Sequence, residues 1–276
     1  MQSRLRIPRR IGRMLALACA AGLWVSGAVA GCSRVIEVPV SPAGRLVIVE
    51  DERVEGVLPE LLREQGALIG CQFRFRVVPR ARAAQAVFKS QMGDIYLPAM
   101  RQPERDATHL FLALIHQSLA VATERAHAPV PADLNKLLAD KGLRGIFVRG
   151  YYFGAAYGDF VERLLADKRA DIVPDIEAVS RMLHAGRADF TLLPFVTGQG
   201  ALDLSPRTPL SQTAFRIEAL EAEPLMENGV YLSRRNLEAA DLVLLTQMFE
   251  RAQAEGAVRR AYLRHYPAEL VERLRF

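Results

Sequence analysis

The chain has 276 residues, half of them apolar, and a formal net charge of +5 from 36 basic and 31 acidic side chains. This length is sufficient for one large or two medium domains with a substantial core. A basic excess can indicate a nucleic-acid partner, but the lysines and arginines are dispersed among acids rather than clustered, so we exclude nucleic acid.

Residues 1–30 predict a cleavable secretory signal peptide. Five arginines and no acid precede an apolar run of 17 residues from Met14 to Ala30, which ends in small residues. This order is typical of signal peptides, and the run is shorter than the roughly 20 residues of a membrane span. The five arginines equal the excess of the whole chain, so we expect a nearly neutral mature protein in the periplasm.

Two cysteines remain in the mature chain. Cys32 lies two residues before the apolar run 34–40, and Cys71 lies two residues before the run 73–78. If these runs are neighbouring parallel strands in matching register, the two Cα atoms lie about 5 Å apart, within disulfide range. We therefore predict a Cys32–Cys71 disulfide. The alternative is a lipoprotein, because residues 29–32 also fit a lipobox and a lipidated Cys32 could not pair.

Strands and helices then alternate along the chain. Strand patterns occupy 34–40, 73–78, 94–98, 145–148, 171–173 and 189–193, and helical patterns occupy 56–66, 81–90, 155–167 and 176–184. Such alternation predicts an α/β fold with parallel-rich sheets that are covered by helices on both faces.

Two extended segments, 117–122 and 229–233, bracket the second half and are interpreted as two hinge strands between two lobes. The domains predicted are the signal peptide 1–30, the first part of lobe 1 at 31–118, lobe 2 at 119–228, and a return to lobe 1 at 229–276, which includes helices 239–255 and 257–265. Ligands of open α/β sheets bind beyond the carboxyl ends of the strands, so we expect a site between the lobes.

Several segments, in this order and spacing, resemble the periplasmic solute-binding proteins of ABC importers, specifically family 3, the polar amino-acid type. They are 56–62, 79–83, 185–189, 230–234 and Gln102-Pro103-Glu104-Arg105, which is similar to the Thr-x-Glu-Arg pattern of the family. The resemblance covers nearly the whole mature chain. It implies the two-lobe periplasmic binding protein type II fold, a monomer without cofactor or metal, a small-molecule ligand, and an inner-membrane ABC permease as partner.

In that family the arginine that closes the pattern commonly holds the ligand carboxylate, and Arg105 is the matching residue. The chain departs from the family at two places. Pro98 to Arg101 replace the small hydroxyl residues that usually precede this arginine, and the acid that meets the ligand ammonium group falls at or near Pro194. A buried ammonium group without an anionic partner is costly, so the departures weaken amino-acid specificity.

The candidate ligand-binding residues are cationic, aromatic or apolar. They are Arg80, Arg82, Pro98, Arg101, Arg105, Tyr151 and Tyr152. They favour an organic anion with an apolar or aromatic body. Because Tyr151 and Tyr152 are adjacent, we expect at most one of them to face the cleft.

No catalytic motif occurs, neither a nucleophile elbow, a Walker loop nor a His-Glu-x-x-His helix. We therefore expect a binding protein and not an enzyme. Two alternatives stay open, because fold does not fix function. One is a periplasmic enzyme similar to cyclohexadienyl dehydratase, and the other is a ligand-sensing module for a membrane receptor.

Overall fold

The structure is a computed structural model and describes residues 31–51, 53–203, 209, 212–220 and 223–276. The predicted signal peptide lies outside the described residues. Within them, we find no helix with both the length and the apolar character needed to cross a bilayer.

The described residues form twelve strands and nine helices. The strands are β1 (Ile36–Val40), β2 (Ile48–Glu50), β3 (Arg53–Glu55), β4 (Phe73–Val77), β5 (Ile95–Met100), β6 (His109–Gln117), β7 (Leu119–Glu124), β8 (Gly145–Val148), β9 (Ala170–Val173), β10 (Thr191–Pro194), β11 (Phe215–Ala219) and β12 (Met226–Ser233). The helices are α1 (Val57–Leu68), α2 (Arg80–Phe88), α3 (Pro103–Asp106), α4 (Leu134–Ala139), α5 (Ala155–Ala166), α6 (Ile176–His184), α7 (Ala239–Ala254), α8 (Ala257–His265) and α9 (Ala268–Val271).

Lobe 1 is built on the parallel pair β1 and β4, which α1 connects, and on the antiparallel sheet β5-β12-β6. The β1 residues Ile36, Val38 and Val40, which share one face, are fully buried, and Pro39 on the other face is buried as well. Leu61 and Leu62 of α1 pack in the same core, which α7 and α8 complete. The sequence patterns for these elements are confirmed to within a few residues.

The predicted disulfide is present, with the Cα atoms of Cys32 and Cys71 4.8 Å apart. The register that suggested it is shifted by two residues, because Ile36 and not Arg34 lies opposite Phe73. The chain before β1 therefore bends toward the end of α1. A Cβ atom on Gly31 would lie 2.2 Å from the carbonyl oxygen of Gly70, so this approach requires glycine. The lipoprotein alternative is incompatible with a bridged Cys32.

Lobe 2 repeats the plan of lobe 1. The strands β8 and β9 form a parallel pair that α5 connects, and β10-β7-β11 form an antiparallel sheet. The rings of Phe147, Phe160 and Phe190 meet edge-on or tilted in its core, with centroids 6.1–6.4 Å apart. In the described residues, each lobe thus combines one parallel strand pair with one three-stranded antiparallel sheet.

The helices α1 and α5 have the same length of 12 residues and begin in the same way. Their N-cap residues are Gly56 with φ 102° and Gly154 with φ 100°, a region that favours glycine. The surroundings differ. A Cβ atom on Gly56 would lie 2.7 Å from the carbonyl oxygen of Arg45, whereas a Cβ atom on Gly154 would meet nothing within 4 Å.

The chain crosses between the lobes at two places. The first is Ser118, which separates β6 in the lobe 1 sheet from β7 in the lobe 2 sheet. The second lies between β11 and β12. The segment 229–233, interpreted from sequence as a hinge strand, lies inside the lobe 1 sheet, because β12 pairs with β6 from Met226 to Ser233. The return to lobe 1 therefore precedes that segment.

Residues 195–201, which follow β10, form what we call the cross-lobe turn. Val196 is fully buried in the core of lobe 1. The guanidinium carbon of Arg273 lies 4.2 Å from the ring centroid of Phe195, and the Tyr266 hydroxyl donates to the Thr197 carbonyl at 3.3 Å. A segment that follows a lobe 2 strand is thereby built into lobe 1.

Candidate functional site

A cavity of about 80 Å³ lies between the lobes. It occupies the carboxyl ends of β1, β5, β8 and β10, where α/β sheets bind ligands. Its lining residues are Ala43, Leu46, Arg80, Pro98, Ala99, Met100, Tyr151, Tyr152, Phe153, Leu193, Pro194, Thr197, Gly198, Ala201 and Asn228.

Among the lining residues that the structure describes, Arg80 is the one charged side chain. The others are apolar, aromatic or neutral and polar, and none carries a carboxylate. Pro194, where related amino-acid binders were expected to carry an acid, is part of the wall. The ammonium group of an amino acid would therefore find no anionic partner in the described wall, which disfavours it.

The guanidinium of Arg80 is fixed by the neighbouring strand. Arg80 is the first residue of α2, and its Nη1 donates to the Leu97 carbonyl at 3.0 Å while its Nη2 donates to the Pro98 carbonyl. Its guanidinium carbon also lies 4.1 Å from the ring centroid of Tyr96, within cation–π distance. Two of the five N–H donors are used in this way, and the other three make no hydrogen bond within the described part of the chain.

Arg105 does not line the cavity. It lies on the short helix α3, and its guanidinium carbon stacks 4.0 Å from the ring centroid of Phe88, with Tyr96 at 5.6 Å and Tyr231 at 6.0 Å. Burial in this aromatic surrounding lowers the pKa of Arg105. The residue that the family pattern indicated as the carboxylate ligand thus packs against aromatic rings outside the cavity wall, and its contact with a ligand stays a prediction.

Arg82 also lies apart from the cavity. It is exposed and lines a separate groove with Arg76 and Met92. Two residues along a helix turn the side chain by about 200°, so Arg80 and Arg82 point to different sides of α2. The sequence placed both at the start of one helix but did not show which side faces lobe 2.

Arg101 is the third predicted arginine outside the cavity wall. It is exposed, and its Nε donates to Asp106 at 2.9 Å while its Nη1 lies 3.6 Å from Glu227. These two acids hold its side chain on the surface. Pro98, by contrast, lines the cavity together with Arg80, and its contact with a ligand stays a prediction.

Tyr151 and Tyr152 both line the cavity, together with Phe153, although adjacent residues were expected to point apart. Residues 151–154 form neither strand nor helix, so they do not alternate between two faces. The rings of Tyr151 and Phe153 meet at 5.6 Å. Burial raises the pKa of Tyr151, so its phenol stays protonated at neutral pH and can donate a hydrogen bond.

The sequence analysis missed two polar residues of the wall, Thr197 and Asn228. Thr197 lies three residues beyond the end of β10, so the rule on the carboxyl ends of strands could have indicated it. Asn228 lies on β12, next to the first residue of the segment that was interpreted as a hinge. No sequence pattern marks it as part of a site.

Comparison with known proteins finds no matching family model and no matching curated protein. Solved structures do match. The solute receptor for L-cysteine of Neisseria gonorrhoeae has a TM-score of 0.68 at 17% identity, over 87% of this chain and 95% of that chain. The chain has the fold of periplasmic binding proteins. The resemblance inferred from sequence is thereby confirmed at the level of the fold.

Other proteins with the periplasmic-binding-protein fold differ in what they do. One is a histidine kinase sensor domain, with a TM-score of 0.66 at 17% identity over 84% of this chain and 96% of that chain. Another is an ancestral amino-acid-binding protein described as a precursor of cyclohexadienyl dehydratase, with a TM-score of 0.66 at 12% identity over 84% and 95%. Because one fold serves a receptor, a sensor and a precursor of an enzyme, the function must be argued from the cavity.

Proposed function

We propose that this chain is an extracytoplasmic solute-binding protein that closes two lobes on a small organic anion with an apolar or aromatic body. The observation that carries the proposal is the position of Arg80. It is the one charged side chain among the described lining residues, and two backbone carbonyls and the Tyr96 ring hold it in place.

A held guanidinium suits a carboxylate for two reasons. Its planar fork forms charge-assisted hydrogen bonds to both carboxylate oxygens. Its orientation is fixed before the ligand arrives, so binding costs less side-chain entropy. The rest of the wall favours an apolar body, because Tyr151, Tyr152 and Phe153 on one lobe face Met100 and Leu46 on the other.

Binding without turnover is favoured by what the wall lacks. Among the described lining residues there is no histidine, aspartate, glutamate, lysine or cysteine. A general base of ordinary type is therefore missing from the described wall. Dehydration or other proton abstraction would need such a group, so we propose capture rather than catalysis.

Location and partner follow from the same proposal. The Cys32–Cys71 bridge suits an oxidising compartment, such as the periplasm that the predicted signal peptide leads to. The likeness to a solute receptor supports ligand capture, and we propose that the protein acts as a monomer that delivers its ligand to an inner-membrane ABC permease. The alternative is a ligand-sensing role with a membrane receptor. Pull-down of the partner protein would distinguish a receptor from a permease.

Calorimetric titration with 3-phenylpropanoate, a carboxylate with an aromatic body, tests the anion site. The wild-type protein should bind it, and Arg80→Gln should lower the affinity about 10- to 100-fold, because two charge-assisted hydrogen bonds are lost. Arg82→Gln is the matched control on the same helix and should leave the affinity unchanged.

Two outcomes would contradict the proposal. If Arg105→Gln abolishes binding while Arg80→Gln does not, the anion is held by Arg105, the residue that matches the family pattern, and not by Arg80. If L-phenylalanine, which has the same carbon skeleton, binds more tightly than 3-phenylpropanoate, the site accepts an ammonium group and the protein is an amino-acid binder.

A further inference from the structure

Gln117 connects the first crossing between the lobes to the cavity wall. It is the last residue of β6 and is fully buried. Its Oε1 accepts the backbone N–H groups of Val196 and Thr197, each at 3.0 Å, and its Nε2 donates to Thr197 Oγ1 at 2.9 Å. One side chain thus makes three hydrogen bonds to the cross-lobe turn.

These bonds fix the orientation of the amide. The two backbone N–H groups can only donate, so the amide oxygen must face them. The amide NH₂ group then faces Thr197, and the Thr197 oxygen must accept. A threonine hydroxyl has a single hydrogen, which is therefore directed elsewhere. Within the part of the chain that the structure describes, no protein atom accepts this hydrogen.

Thr197 is also held firmly against the cavity. Its N–H donates to Gln117, its carbonyl accepts from the Tyr266 hydroxyl at 3.3 Å, and the adjacent Phe195 N–H donates to the Ser118 carbonyl at 2.8 Å. Thr197 and Arg80 both line this cavity. The wall therefore contains, besides a cationic donor, a hydroxyl group whose hydrogen no described protein atom accepts.

We propose that Thr197 is a specificity-determining residue that donates its hydroxyl hydrogen to a second acceptor oxygen of the bound anion, and that Gln117 is the positioning residue that sets this direction. The inference rests on the proposed function of Arg80 and narrows its ligand. The ligand is an apolar carboxylate with a further carbonyl oxygen, as in a 2-oxo acid. An ammonium group at the same place would direct its own N–H hydrogens at the Thr197 hydroxyl hydrogen. The site therefore rejects an amino acid.

Three compounds with one carbon skeleton test this inference: 3-phenylpropanoate, its 2-oxo acid phenylpyruvate, and its 2-amino acid L-phenylalanine. Wild-type protein should bind phenylpyruvate more tightly than 3-phenylpropanoate, and L-phenylalanine least tightly. Thr197→Val should weaken phenylpyruvate binding roughly 5- to 30-fold, the effect of one lost hydrogen bond, and leave 3-phenylpropanoate within about twofold. Thr197→Ser, which keeps the hydroxyl, should keep the preference.

Gln117→Glu tests the positioning role without changing shape. The introduced carboxylate still accepts from both backbone N–H groups, but when ionised it cannot donate, so the Thr197 hydroxyl turns toward it. The preference for phenylpyruvate should disappear near pH 8 and return toward about pH 5, as the introduced carboxyl group gains a proton and donates again. Gln85→Glu, an exposed substitution on α2, is the control and should bind like wild type at both pH values.

The outcomes separate this inference from the proposed function. If wild-type protein binds 3-phenylpropanoate and phenylpyruvate equally, or if Thr197→Val weakens both alike, the inference is wrong while the Arg80 site stands. A phenylpyruvate preference that persists in Gln117→Glu at pH 8 also overturns the positioning role. If neither compound binds the wild-type protein, the anion site itself is wrong, and the inference falls with it.

Discussion

Arg169 is a buried cation that is not among the described residues lining the cavity. Only 6% of it is exposed. Its Nε donates to the Leu143 carbonyl at 3.0 Å, Nη1 to Leu138 at 2.9 Å, and Nη2 to Leu137 at 2.7 Å and to the Asp140 carbonyl. The last carbonyls of a helix have no partner within it, and Arg169 fills this role for α4.

Arg169→Lys should therefore lower the free energy of unfolding by about 2 to 4 kcal/mol, because one ammonium group cannot reach four carbonyls that a planar fork reaches together. Urea denaturation followed by circular dichroism measures the difference. Arg163→Lys, an exposed substitution on α5, should change the free energy by less than about 0.5 kcal/mol. Equal effects of the two substitutions would show that the carbonyl contacts do not matter.

At the scale of single residues, sequence pointed to candidates for the cavity wall but not to all of its members. Arg80, Pro98, Tyr151 and Tyr152 line the cavity, and their contact with a ligand stays a prediction. Arg105 does not, because its side chain stacks on Phe88, and no sequence pattern reports a ring that is distant along the chain. Helical and strand periodicity tells which residues share a face but not which face meets the other lobe.

The unit formed by β1, α1 and β4 is closed by the disulfide. Cys32 precedes β1 and Cys71 precedes β4, and the two cysteines are 39 positions apart along the chain. On the chain-entropy model, a loop of this length loses enough freedom in the unfolded state to stabilise the fold by about 4 kcal/mol. The bridge thus secures the strand on which the lobe 1 core is built.

The double variant Cys32→Ser/Cys71→Ser should lose about this 4 kcal/mol in urea denaturation. A reducing agent should lower the stability of wild-type protein to that of the variant and leave the variant unchanged. The intact mass of the wild-type protein should lack two hydrogens relative to its reduced form. Wild-type stability that is insensitive to the reducing agent would contradict the prediction.

At the scale of elements, apolar periodicity was sufficient to predict most of the fold. The helix at 176–184 was predicted with its observed bounds, and α5, α7 and α8 to within one residue. The pairing of β1 with β4 was also predicted, but its register was not. The register of this pair depends on how the chain bends before β1, where Gly31 packs against the backbone of Gly70. Apolar periodicity in the sequence does not indicate such a bend.

The whole molecule is held together by the cross-lobe turn as much as by the two crossings. Val196 is buried in the core of lobe 1 although the strand before it belongs to lobe 2. Unfolding of either lobe would expose this side chain and break the hydrogen bonds of Gln117. We therefore expect the lobes to unfold together.

Differential scanning calorimetry should show one transition whose van't Hoff and calorimetric enthalpies agree. Val196→Ala should lower the free energy of unfolding by about 1 to 3 kcal/mol, because a buried side chain is truncated. Val243→Ala on α7, where the side chain is 56% exposed, is the matched control and should have little effect. Two separate transitions in wild-type protein would show that the lobes are independent.

The two glycines that begin α1 and α5 give the lobes unequal freedom to evolve. Gly56 is enclosed by the backbone near Arg45, so the turn before α1 tolerates little change in sequence or length. Gly154 meets only open space, and it directly follows the cavity residues Tyr151, Tyr152 and Phe153. The φ of 100° keeps glycine favoured at position 154 itself, but insertions and substitutions can accumulate in the cavity residues before it without disturbing the core. New ligand preferences in this lineage should therefore arise first in lobe 2, while lobe 1 keeps its anchoring arginine.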